Sequence, residues 1–256
     1  MWKNERHQRI SRIISDLGKI TTDQLVADLA VSRETIRRDL LVMEDLGQIK
    51  RVHGGAIALD DNAEPPLSVR QNLHVKEKLA IAKAACSLIT HHKVVFFDAG
   101  STTIHLAQQL ASLHDLHVIT NSIHAVQSLN DLSQGAASVT LLGGSLTPFG
   151  YATAGGQTIR EIGRITADLA FVSPAAVDPA KGALSDVEAE ADIAAAMLAN
   201  SRENVILADT SKFTAHGHFQ FCEYPQIDVL VTDSKIRAIN GLEQDLRAKV
   251  GKLIIA

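Results

Sequence analysis

Arg33, Arg37 and Arg38 follow Ser32 and enclose Thr35, and a second cluster, Lys50-Arg51-Val52-His53-Gly54-Gly55, comes soon after. Guanidinium groups at this spacing present forked donors that match guanine edges and phosphate oxygens. A second set of polar residues follows short apolar runs. It comprises Asp98-Ala99-Gly100-Ser101-Thr102-Thr103, then Asn121, then Gly143-Gly144, then Asp209-Thr210-Ser211-Lys212. Glycine with hydroxyls and amides at the start of a helix suits a phosphate or carboxylate, and Lys212 offers a cation to the same kind of group. His216, His218 and Cys222, and the pair His91-His92, have no further Cys-rich pair or helical His-Glu motif beside them. A solvated loop is therefore expected there, with no metal and no cofactor.

The arginines need a rigid support, and the preceding residues supply one. Ile10, Ile13, Ile14 and Leu17 recur as the stripe of an amphipathic helix, which Gly18 stops. Thr21 and Gln24 stand at capping-box spacing, which predicts a second helix over 22–29. The turn Ala30-Val31 leads to Ser32 as N-cap of a third helix, in which Ile36, Leu40 and Met43 share the buried face. Gly47 ends that helix, 48–52 alternate as a half-buried strand, and Gly54-Gly55 turn the chain into a returning strand at 56–58. The result is a winged helix-turn-helix. Arg33, Thr35, Arg37 and Arg38 would enter a major groove with Ser32 near a phosphate, while Lys50, Arg51 and His53 clip the adjacent backbone or minor groove.

The second set needs a different frame. Apolar runs at 94–97, 118–120, 139–142, 169–172, 205–208, 229–231 and 253–255 are short and do not alternate, as strands buried on both faces should be. Helical segments are expected at 72–90, with Leu79, Ala80, Ala84 and Leu88 among its apolar positions, and at 103–113, 122–129, 157–162, 188–199 and 242–249. This alternation implies an α/β fold, a doubly wound and mostly parallel sheet whose ligands bind beyond the carboxyl ends of the strands. An acidic, proline-broken stretch, Leu59-Asp60-Asp61-Asn62-Ala63-Glu64-Pro65-Pro66, separates the two frames. The expected organisation is 1–58 for the winged helix-turn-helix, 59–75 for a linker and 76–256 for the effector-binding and oligomerisation domain.

Residues 5–57 resemble the N-terminal domain of DeoR-type bacterial transcriptional regulators. The matching residues are Arg6, Ile10, Leu25, Val31-Ser32, Thr35-Ile36-Arg37-Arg38-Asp39-Leu40, Gly47 and His53-Gly54-Gly55-Ala56. The resemblance continues through Asp98–Thr103, Thr120-Asn121, Gly143-Gly144 and 209–213 into that family's effector domain, which is similar to ribose-phosphate isomerase and glucosamine-phosphate deaminase folds. It implies an effector pocket lined by Asp98, Gly100, Ser101, Thr102, Thr103, Asn121, Gly143, Gly144, Asp209 and Lys212, with Glu188 or Glu190 as an acidic neighbour. It also implies a repressor of a carbohydrate-utilisation operon, controlled by a phosphorylated sugar or related metabolite. Two departures stand out: Ser173-Pro174-Ala175-Ala176-Val177 replaces a glycine-rich stretch, and Thr214 follows Phe213 where a small residue is usual. The alternative is a sugar-phosphate isomerase or deaminase using Asp98, Glu188, Asp209 and Lys212 as acid–base groups. A DNA-binding segment is of no use to such an enzyme.

Composition agrees with this division. Residues 1–58 carry 10 Lys/Arg against 8 Asp/Glu, whereas the remaining residues carry 15 against 21. Affinity for a polyanion is thereby concentrated in the first segment. The 46% hydrophobic content suits globular domains, and no apolar run has the length of a membrane span. With two cysteines and no charged-then-apolar leader, a reducing cytoplasm is expected. One winged module covers few base pairs, so a dimer or tetramer on repeated operator DNA sites is expected.

Overall fold

The computed structural model describes residues 2–57, 64–65, 67–89, 93–110, 115–132, 137–147 and 151–256. The chain divides into two compact units, Met1–Leu73 and His74–Ala256. The expected linker at 59–75 falls partly outside the described residues, and a short helix occupies Leu67–Arg70 within it.

In the first unit, α1 (Lys3–Leu17) ends where Gly18, at φ 71°, returns its N–H to the Ile14 carbonyl. Ile10 and Ile14 are buried, but Leu17 is 64% exposed. The expected apolar stripe therefore stops one turn early, because β1 (Lys19–Thr21) takes over the covering of the core through Ile20. α2 (Thr22–Leu29) carries the capping box: the Gln24 amide donates to Thr21 Oγ1 at 3.2 Å, and the Thr21 amide donates to Gln24 Oε1 at 2.9 Å. α3 (Arg33–Asp45) packs Ile36, Leu40 and Met43 against Ile10, Ile14, Leu25 and Leu29. β2 (Lys50–Val52) and β3 (Gly55–Ile57) form the wing, and β1 adds a third strand on the far side of β3. That third strand has no signal in sequence: three residues between two helices are too few to show alternation. Ala58 lies outside the described residues.

The second unit begins, after α4 (Leu67–Arg70) of the first, with α5 (Val75–Cys86), shorter at both ends than the expected 72–90. Its buried stripe is Lys78, Ile81, Ala82 and Ala85, while Leu79 is 39% exposed. The apolar positions named for this helix are therefore not its buried ones: 78 and 81–82 are one turn apart on the same face, and a lysine occupies the inward position. β4 (Lys93–Phe97), α6 (Ser101–Ala107), β5 (Leu116–Thr120), α7 (Ile123–Leu132) and β6 (Ala137–Leu141) follow. Next come a ribbon of β7 (Ser145–Leu146) with β8 (Thr153–Ala154), then α8 (Gly156–Ile162), β9 (Ala167–Val172), β10 (Ala176–Asp178) and β11 (Gly182–Ser185). α9 (Glu188–Ala199), β12 (Ser201–Leu207), β13 (Phe219–Cys222), β14 (Val229–Thr232), α10 (Leu242–Lys249) and β15 (Lys252–Ile255) complete the chain.

All seven expected apolar runs lie in one sheet of order β15-β14-β12-β9-β4-β5-β6, and every pairing in it is parallel. Alternate residues feed two cores. Phe96, Ile119 and Ile206 join α9 on one face, whereas Val95, Phe97 and Val118 join α5 and α6 on the other. Burial on both faces explains why the inner runs carry no polar alternation, whereas the expectation of double burial fails at the edge strand β6, where Leu141 is 43% exposed. The antiparallel sheet β10-β11-β13 was not expected from sequence. Its strands are short, and Ala176 and Gly182-Ala183 dilute their β signal.

Candidate nucleic-acid interface and effector site

Ser32 is the N-cap of α3: its hydroxyl oxygen accepts from the Thr35 amide at 3.1 Å. This fixes the start of the helix and leaves both hydroxyls at its exposed end, 2.8 Å apart. Arg33, Arg37 and Arg38 all stand in solvent with side-chain exposures of 69%, 66% and 77%. Their ion pairs are peripheral: Arg33 with Asp23 at 3.2 Å, and Arg37 and Arg38 with the shared Glu34 at 3.6 and 3.1 Å. Exposed pairs of this kind are worth at most about 1 kcal/mol each, so they hold the guanidinium groups in place without withdrawing them.

Asp39 has the opposite fate. It lies buried between α3 and α1, where Arg6 donates through Nε and, at 3.0 Å, through Nη2, and His7 Nε2 lies 3.0 Å from Oδ1. Burial alone would raise this carboxyl, but the hydrogen bonds and charges of Arg6 and His7 outweigh it and hold it below its ordinary value. The Arg-Arg-Asp string thus splits into two exposed cations and one internal anchor.

The wing is held to the helices from both ends. The Thr22 amide donates to the Gly54 carbonyl at 2.7 Å, and Glu44 on α3 accepts from the Arg51 amide at 2.9 Å and lies 3.6 Å from its guanidinium. Arg51 is therefore partly committed to Glu44, whereas Lys50 and His53 are exposed. Between α3 and the wing runs a groove of about 500 Å³ whose lining includes Arg33, Arg37, Arg51 and Gly54. Arg38 does not line it.

In the second unit, Asp98 follows β4 and is buried, with Oδ1 accepting from the Gly100 amide at 3.0 Å and Thr103 Oγ1 at 2.7 Å, and Oδ2 from the Ser173 amide at 2.8 Å. Desolvation dominates and pushes its pKa up to about 6, against the lowering effect of those three donors; the charge of Glu190 raises it further. Gly100 is required by this loop, since a Cβ there would lie 2.5 Å from Ser173 Cβ. Ser101, Thr102 and Thr103 are all buried at the start of α6. Asn121 follows β5, and its Nδ2 donates to the Thr153 carbonyl at 2.9 Å. Tyr151, which the sequence did not single out, donates from Oη to Glu190 Oε1 at 2.6 Å. Of the two acidic candidates on α9, Glu190 is the one turned to Asp98, and Glu188 is exposed.

Other expected pocket residues bond to neighbouring elements. The Gly143 amide donates to Glu161 at 2.7 Å and its carbonyl accepts from Thr158 Oγ1 at 2.7 Å, so it ties β6 to α8. Gly144 lies against the same threonine, where a Cβ would approach Thr158 Oγ1 to 2.2 Å. Asp209 caps the turn after β12 through the Ser211 amide at 3.0 Å. Lys212 is buried in that turn. The structure therefore brings the charge of Glu190 to Asp98 and bonds Tyr151 to the same glutamate. His218 pairs with Asp186 at 2.9 Å, and burial pushes the Cys222 thiol up to about 12. Among the described residues no three His, Cys, Asp or Glu side chains converge on a point.

The profile of the DeoR-like helix-turn-helix domain matches residues 6–62, and that of the DeoR C-terminal sensor domain matches residues 73–234. The chain belongs to the DeoR family. Its relatives span nearly its whole length. The transcriptional regulator GlpR of Haloferax volcanii is 32% identical, over 91% of each chain. The glycerol-3-phosphate regulon repressor of Haemophilus influenzae is 29% identical, over 100% of this chain and 98% of its own. Among solved structures, ribose 5-phosphate isomerase A of Methanocaldococcus jannaschii aligns over 53% of each chain at 18% identity and a TM-score of 0.39. As a member of this family the chain is a transcriptional regulator with a DNA-binding unit and a sensor unit. Among the described residues no helix is long and apolar enough to cross a membrane.

Proposed function

We propose that this DeoR-family protein represses a carbohydrate-utilisation operon and that a phosphorylated sugar or polyol bound to the second unit controls its grip on operator DNA. The observation that carries the DNA-binding half is the arginine face of α3, exposed beside a wing anchored by Thr22 and Glu44. Arg38, the most exposed of the three arginines, reads a base edge, and Arg33 and Arg37, lining the groove beside the wing, hold the DNA backbone with Lys50 and His53. Ser32 and Thr35 sit at the open end of the helix, suited to a phosphate. A base-reading arginine contributes about 1–3 kcal/mol of discrimination, whereas each phosphate contact contributes about one unit of salt slope. Binding of operator and random fragments at several salt concentrations separates these roles. Arg38→Ala should relax sequence preference, and Lys50→Ala should lower the slope by about one. Unchanged binding in both variants would reject the assignment.

The effector half is supported by buried, strand-end polar groups around Asp98 and by a relative named for the glycerol-3-phosphate regulon. The protein acts as a regulator and not as an isomerase, since its relatives are named as regulators and its first unit is a winged helix-turn-helix. Detectable turnover of ribose 5-phosphate by the pure protein would refute this. Paired heads on repeated sites make it a homo-oligomer working in the cytoplasm, with no membrane, metal or cofactor required.

A further inference from the structure

The α9 side of the sheet, at the carboxyl end of β4 and β5, holds a group of side chains with an unusual hydrogen-bonding balance. Phe96 and Ile119 belong to the core beneath α9, and Asp98 and Asn121 directly follow the carboxyl ends of their strands, β4 and β5. α9 covers the face with Ile193, Ala194 and Met197, and its first turn brings Glu190 within electrostatic reach of Asp98. Tyr151 completes the group through its 2.6 Å bond to Glu190.

Each member offers acceptors. Asn121 is oriented by the donation of its Nδ2 to Thr153, which leaves Oδ1 as the remaining atom. That oxygen is buried in a residue only 5% exposed, and it has no hydrogen-bond partner among the described residues. An acceptor so placed costs on the order of 1–3 kcal/mol unless a donor reaches it. Glu190 accepts through Oε1 from Tyr151, and the single Tyr151 hydroxyl proton is spent in making that bond. The charge that Glu190 brings to Asp98 is of its own sign.

We infer that this compartment receives the donor-bearing, uncharged end of the effector, its hydroxyl groups, and that Glu190 is the residue that excludes effectors ending in a carboxylate. This deepens the effector reading above and rests on it. A hydroxyl donates to Asn121 Oδ1 or Glu190 without adding charge. A carboxylate brings no donor, and the like charges of Glu190 and Asp98 repel it. The phosphate must then lie outside this compartment, toward groups that donate.

Matched pairs of small molecules test the inference, with the full-length protein at neutral pH. Glucitol 6-phosphate and 6-phosphogluconate share a carbon chain and differ at the end opposite the phosphate, as do glycerol 3-phosphate and 3-phosphoglycerate. Calorimetric titration should show the hydroxyl-ended member of at least one pair binding ten times or more tightly than its carboxylate partner. Glu190→Gln, checked for an unchanged melting temperature, should shrink that ratio severalfold, and Tyr151→Phe, which keeps the charge, should preserve it. Equal affinities within every pair that binds, or a ratio unmoved by Glu190→Gln, would overturn the inference while leaving the sensor reading intact. No binding of any of the four compounds or of inorganic phosphate would overturn the sensor reading and this inference together.

Discussion

Two aspartates, each adjoining a functional surface, respond to pH in opposite ways. Asp39 is held below its ordinary value by Arg6 and His7 despite burial, so its contribution to stability is present above 3.8 and is lost as the pH falls through its lower folded-state value. Removing the carboxylate takes away the buried acceptor that Arg6 and His7 share, at a cost of about 1–3 kcal/mol. Asp39→Ala should therefore lower the stability of the first unit by that order in chemical denaturation, and a loss below about 1 kcal/mol would show that Arg6 and His7 find other partners. Asp98 runs the other way. Its value of about 6 lies above the 3.8 of a free aspartate, so the folded state carries no penalty below 3.8 and the full penalty above 6. That difference corresponds to about 3 kcal/mol, lost from the second unit as the pH rises through the window. A carbon-13 titration of the Asp98 carboxyl should find its midpoint near 6, and a midpoint of 4 or lower would mean that its three donors outweigh desolvation.

At the scale of elements, the wing depends on two adjacent glycines for different reasons. Gly54 is at φ 81° with nothing within 4 Å of where a Cβ would stand, so alanine there meets only backbone strain of about 1–2 kcal/mol. Gly55 begins β3 opposite Thr21, and a Cβ there would lie 2.1 Å from the Ile20 carbonyl. Relief requires moving β1 away from β3, which breaks the three-stranded sheet. Gly55→Ala should thus abolish operator binding and destabilise the first unit far more than Gly54→Ala does. Equal melting temperatures for the two variants would contradict this account of the wing. The sequence shows the Gly-Gly turn but assigns it only to a hairpin, because the close approach comes from β1, a strand that its three residues do not announce.

For the whole molecule, any control that the sensor unit exerts on the DNA-binding unit must be reciprocal. If an effector changes operator affinity by some factor, the operator must change effector affinity by that same factor. Couplings of about 1–3 kcal/mol, or roughly 5- to 150-fold, are typical. Titrating effector in the presence and absence of saturating operator, and operator in the presence and absence of effector, should return equal factors. Unequal factors would mean that a third equilibrium, such as a change in oligomer size, is coupled to one of the two.

The sequence by itself determined the helices that present the arginines, the seven parallel strands and most of their polar ends. Capping boxes, glycine stops and doubly buried apolar runs are local signals, each written within a few consecutive residues. Only the tertiary structure decided which polar residues work together. Asp39 is an anchor because Arg6, 33 positions away, reaches it, and Gly143 is tied to α8 because Glu161 and Thr158 reach its amide and carbonyl. Asp98 gains its character from burial, from the Ser173 amide and from the charge of Glu190. Desolvation and charge depend on separation in space, and separation along the chain carries almost no information about it.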